Sequence, residues 1–126
     1  MRTIYAVIGA LFLASPCLAE DRLDTIQDLY SECKSPESIA QISCLRFISG
    51  VASAMQGVGF VASDTSAPRE HRLQLIPFAM CNSEPVSLGQ MKQVFINWAE
   101  KHPTQWQGPE GGGVWLALQE AWPCHL

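Results

Sequence analysis

Residues 81–126 read CNSEPVSLGQMKQVFINWAEKHPTQWQGPEGGGVWLALQEAWPCHL, and this stretch decides the fold. Ser87-Leu88-Gly89-Gln90 has the Ser-x-x-Gln form of a capping box, in which Ser87 accepts from the Gln90 N–H and Gln90 reaches back. Leu88, Met91, Val94, Phe95, Trp98 and His102 then recur at helical spacing, while Lys92, Gln93, Asn97, Glu100 and Lys101 take the opposite face. Pro103 ends that helix. A second periodic run (Val114, Ala117, Leu118, Ala121, Trp122) starts near Pro109 or within Gly111-Gly112-Gly113 and closes at Pro123. Each glycine inside a helix costs about 0.8–1 kcal/mol against alanine, so a frayed first turn is expected there. The stretch is a helical hairpin holding all four tryptophans (Trp98, Trp106, Trp115, Trp122), with Cys81 before it and Cys124 after it.

Working outward, Leu73 to Met80 is apolar but contains Pro77, which predicts an extended or single-turn segment packed on the core. Val61 to Arg72 reads as a loop: Ala62 to Pro68 is small, polar and proline-broken, and Arg69-Glu70-His71-Arg72 is a solvated charged run. Helix two is expected from Glu37 to Met55, capped by Ser35 with Pro36 at its first position and ended by Gly57 and Gly59. Its core stripe is Ile42, Leu45, Ile48, Ala52 and Met55. A neighbouring small-residue row, Gly50, Ser53, Ala54 and Gly57, suits close approach of another helix, taken as an internal neighbour ahead of a second subunit. Helix one is expected from Leu23 to Cys33, capped by Asp21 or Asp24 and stopped by Lys34-Ser35-Pro36. No stretch alternates cleanly enough for a strand, so the class is all-α, a compact domain of four to five helices.

The N-terminus addresses the compartment. Arg2, the uncharged apolar run Ile4 to Ala14, and Ser15 to Ala19 match a signal peptide cleaved after Ala19, and the apolar run is short of the roughly 20 residues a membrane span needs. Residues 1–19 are therefore read as signal and 20–126 as one mature domain. Loss of Arg2 leaves 7 of the 8 basic residues against 12 acidic ones, a net charge of −5. That balance argues against nucleic acid or an anionic membrane and suits a basic protein partner. Loss of Cys17 leaves four of five cysteines: Cys33, Cys44, Cys81 and Cys124. An even number in a short exported chain reads as two disulfides. Antiparallel helices joined by short turns put Cys33 beside Cys44 and Cys81 beside Cys124, the pairing that needs no crossing. Both bonds would leave no free thiol.

Catalytic constellations are absent from the sequence: it has no C-x-x-C, H-E-x-x-H, G-x-S-x-G or phosphate-loop pattern, and His71, His102 and His125 stand apart. The chain is read as a binder and not an enzyme, with no cofactor and no metal. Two loops are left to carry contacts, one with Asp64 and Arg69, the other with Trp106, Gln107, Pro109 and Glu110.

Cys44-Leu45-Arg46-Phe47-Ile48-Ser49-Gly50-Val51, Val86-Ser87-Leu88-Gly89-Gln90, His102-Pro103 and Ala117-Leu118-Gln119-Glu120-Ala121-Trp122-Pro123-Cys124 together resemble the Rap/Tai family of immunity proteins. The resemblance covers most of the mature chain but not helix one or residues 64–80. It departs from the family pattern at Asn82-Ser83-Glu84-Pro85 and at Gly111-Gly112-Gly113. It implies a small helical periplasmic protein, often a homodimer, that blocks the catalytic cleft of a cell-wall amidase effector delivered by type VI secretion. The competing expectation is a small disulfide-stapled chaperone or stress protein of the envelope, and a structural subunit of an envelope complex is a third.

Overall fold

The computed structural model describes residues 24–125. The proposed signal segment and the proposed cap Asp21 lie outside those residues. Five α-helices follow in order: α1 (Ile26–Lys34), α2 (Ser38–Ser63), α3 (Arg69–Leu75), α4 (Leu88–Lys101) and α5 (Glu110–Ala121). Single 3-10 turns occupy Ile76–Phe78 and Pro103–Gln105. Among the described residues there is no strand, only one isolated antiparallel bridge between Thr25 and Pro109. The all-α expectation holds, with α4 and α5 as the hairpin.

The α4 capping box is present as read: Ser87 Oγ accepts from the Gln90 N–H at 3.2 Å, and Gln90 Oε1 accepts from the Ser87 N–H at 2.9 Å. Helix α1 carries a second box that the sequence reading missed. Its cap is Thr25, not Asp21 or Asp24, with Asp28 at the third position returning the bond to the Thr25 N–H at 2.9 Å. The start of α2 also differs. Glu37 is its cap without a side-chain bond, so Ser35 and Pro36 lie in the turn before it.

Helix α2 is the largest correction. It runs 26 residues, through Gly57 and Gly59, to Ser63. Gly59 has a packing reason: a Cβ there would meet the Met80 carbonyl oxygen at 3.1 Å, because the segment after the Ile76–Phe78 turn crosses α2 at that point. Met80 N–H donates to the Met55 carbonyl at 3.3 Å across the same contact. The glycine lets two backbones meet and the contact holds the helix, against a propensity loss of only about 1 kcal/mol. The loop expected over residues 61–72 shrinks to 64–68, and the charged run from Arg69 is helical.

Helix α2 packs against α1, α3, α4 and α5. Leu29, Ile48, Met55, Phe95, Val114 and Leu118 are the large side chains fully sealed between them. By length and composition α2 could cross a membrane. Its inner face instead forms the centre of the helical core. Both disulfides form as expected, Cys33–Cys44 and Cys81–Cys124.

Candidate partner-binding site

Four N–H groups at the start of any α-helix lack intrahelical acceptors. In α1 all four are satisfied, and two of the acceptors come from the α4–α5 connection. Ile26 N–H donates to Gly108 O at 2.9 Å and Gln27 N–H to Trp106 O at 3.0 Å. Thr25 N–H goes to Asp28 Oδ2 and Asp28 N–H to Thr25 Oγ1. Glu110 N–H completes the clasp by donating to Asp24 O at 3.2 Å. The connection is therefore tied down along its length.

Trp106 is half-buried within this clasp. Its indole Nε1–H donates to Ala99 O at 2.8 Å, and its ring lies 5.2 Å from the Tyr30 ring. Tyr30 in turn donates to Glu100 Oε1 at 2.9 Å, a bond that raises the pKa of its hydroxyl. Gln107 is exposed, and its amide donates to Gln27 Oε1 at 3.0 Å. Pro109 is exposed as the cap of α5. The expected fraying of α5 is not seen, since Gly111–Gly113 belong to its first turns. Gly113 is buried, and a Cβ there would meet Ile26 Cγ1 at 2.6 Å.

Glu110 opens α5 and faces a cavity of about 180 Å³ lined also by Asp24, Asp28, Leu29, Glu32 and Phe47. Burial raises the pKa of its carboxyl, and the charges of Asp24, Glu32 and Asp28 add to the effect. Sequence reading had named Glu110 as a contact residue but had placed none of these three acids beside it. They belong to α1 and the residues before it, and only the clasp brings them to Glu110. Among the described residues, no group of three or more His, Cys, Asp and Glu side chains is placed to hold a metal ion.

Asp64 and Arg69 lie elsewhere. Gly111 sits over Phe47 of α2, and Asp64 follows Phe47 by 17 residues, about 25 Å along the helix at 1.5 Å per residue. The two candidate loops therefore do not form one surface. Asp64 is engaged in its own turn: hydrogen bonds from Ser66, including its N–H at 2.9 Å, and then the charge of Arg72 lower its carboxyl pKa. Arg69 is exposed at the start of α3.

The outer face of α2 was misassigned by sequence. Ile42, expected in the core, is 54% exposed and Leu45 only half-buried, while Ile39 (83%), Phe60 (79%) and Val61 (53%) join Ile42 on the surface. Between these ends Gly50, Ser53, Ala54 and Gly57 are all exposed, and a Cβ at Gly50 or Gly57 would meet nothing within 4 Å. Among the described residues the small-residue row thus has no internal neighbour. The available signal was that α2 is apolar on both sides, so that one face is left over once the other is buried.

Neither the curated proteins nor the solved structures give a significant match to this chain. A family model does. That of the Rap1a immunity proteins matches residues 25–124, from the Thr25 cap to Cys124, and the chain belongs to that family.

Proposed function

We propose that this protein is a periplasmic immunity protein that binds a type VI secreted peptidoglycan amidase effector and occludes its active site, protecting the cell that makes it. The observation that carries the reading is family membership across almost every described residue. Two disulfides in so short a chain fit an oxidising compartment reached through the signal peptide read at residues 1–19. Inhibition by occlusion is non-catalytic and needs no cofactor, only a rigid surface. The clasped end supplies one, with exposed Gln107 and Pro109, half-buried Trp106, and Glu110 beside three further carboxylates. Negative charge there suits a basic rim around the effector's cleft. Asp64, about 25 Å away along α2, and Arg69 on the helix that follows it would then make at most a secondary contact.

A second copy of the chain is proposed on the outer face of α2. That face has Arg46 as its one charge, whereas the rest of an acidic chain repels its copy. It is also self-complementary. Gly50 is midway between Ile39 and Val61, so an antiparallel crossing there sets Ile39 and Ile42 of each copy against Phe60 and Val61 of the other.

Purified mature protein mixed with a candidate NlpC/P60-like amidase, chosen as one encoded in a neighbouring gene, tests the main reading. Peptidoglycan hydrolysis should fall to background at a stoichiometric excess. Unchanged hydrolysis at saturating protein, with no complex on a sizing column, would refute the pairing.

A further inference from the structure

The two disulfides occupy opposite environments. Cys33 and Cys44 are 2% and 0% exposed and belong to the main apolar cluster. The other bond lies outside that cluster. Cys81 is exposed, and it lines an open groove of about 700 Å³ together with Gln56, Phe60, Asn82 and His125. Cys124 is screened beneath it, at 9% exposure.

We propose that Cys81–Cys124 is a thiol-exchange site in the native protein, open to an external dithiol that approaches along this groove, and that Cys33–Cys44 is closed to the same reagent. Exchange requires a thiolate to reach a sulfur of the bond, so access selects both the bond and the sulfur attacked. A thiolate of the dithiol attacks Cys81 Sγ, forms a mixed disulfide and releases Cys124 as thiolate. The reagent's second thiol then attacks its own sulfur in that mixed disulfide, releasing Cys81. The dithiol is oxidised to a disulfide, and the protein gains two electrons and, on protonation, two protons.

Opening this bond loosens one end of the molecule. The segment from Ala79 to Ser87 would remain held to the helices near Cys81 by the Met80–Met55 bond (3.3 Å) and the Cys81–Trp122 bond (3.1 Å). The sealed cluster of α1, α2, α4 and α5, with Cys33–Cys44 inside it, has no atom in the broken bond. The inference is independent of which effector the protein meets.

The test uses folded full-length mature protein at neutral pH with graded dithiothreitol, pulse alkylation and peptide mapping. Cys81 and Cys124 should be labelled at reductant concentrations roughly tenfold below those needed for Cys33 and Cys44, with helical circular dichroism retained. The rate of Cys81–Cys124 opening should rise in proportion to dithiothreitol, as direct attack on the native state requires. A rate that saturates at one value shared by both bonds would show that reduction waits for global unfolding, and would overturn the proposal. So would earlier labelling of Cys33 and Cys44.

Discussion

Three adjacent glycines show how far a residue's effect depends on what stands one contact away. At Gly112 an added Cβ would lie 3.5 Å from Pro109 Cγ, an ordinary contact. Gly112→Ala should therefore realise the helix-propensity gain and stabilise the protein by about 0.5–1 kcal/mol. At Gly113 the same methyl would meet Ile26 Cγ1 at 2.6 Å, inside the sealed core. Overpacking of that kind costs about 1–3 kcal/mol, more than the propensity gain, so Gly113→Ala should destabilise. Urea unfolding of the pair decides it, and equal signs would contradict the packing. Glu110 offers a pH-dependent counterpart. Burial and then its acidic neighbours raise its folded pKa, so the fold favours the neutral form. Its contribution is intact below the unfolded pKa of about 4.3 and lost as pH rises through the raised value. Glu110→Gln, neutral throughout, should raise the urea midpoint at pH 7, and that advantage should vanish below about pH 4. An advantage of the same size at both pH values would remove the charge explanation.

At the scale of elements, the clasp between α1 and the α4–α5 connection is held from both sides by Trp106. Trp106→Ala removes the indole donor to Ala99 O and the ring against Tyr30. A fully buried tryptophan truncation costs about 3–5 kcal/mol, and a half-buried one with a hydrogen bond should cost about 2. A change below about 0.5 kcal/mol in urea unfolding would mean that the clasp holds without it. Because the fold rests on this residue as well as the proposed effector contact, Trp106→Phe, which keeps a ring against Tyr30, is the cleaner variant for effector affinity. Elements read from local signals were legible in the sequence: the Ser87–Gln90 box, the proline stops, the hairpin and the disulfide pairing it implies. The end of α2 was not, because Gly57 and Gly59 carry a local stop signal that the distant Met80 backbone overrides. The candidate site was half legible for the same reason. Trp106 and Glu110 could be named as loop residues, but not the backbone N–H groups and carboxylates that α1 and the residues before it bring to them.

For the whole molecule, the uncovered face of α2 is the feature that a lone chain explains least. Twenty-six residues span about 39 Å, and a helix about 10 Å wide gives a footprint of roughly 400 Å² on each copy. Leu88, which shares an apolar groove with Ile42, Leu45 and Gly50, widens the contact beyond the helix itself. The total, about 800 Å² from the two helices before Leu88 is added, falls below the roughly 1,200 Å² of stable interfaces, so the dimer should be weak and dissociate at micromolar concentration. Light scattering on a sizing column should show mass rising from one chain toward two across that range. Gly57→Glu sets a carboxylate where a Cβ has open space in the single chain, so it should abolish the dimer and leave helical content unchanged. Gly112→Ala, away from this face, should leave dimerisation intact. If the wild type stays monomeric at several hundred micromolar, a second copy does not cover α2. The exposed Ile39, Ile42, Phe60 and Val61 would then favour the chaperone reading, tested by whether Gly57→Glu loses the ability to keep an unfolded client from aggregating.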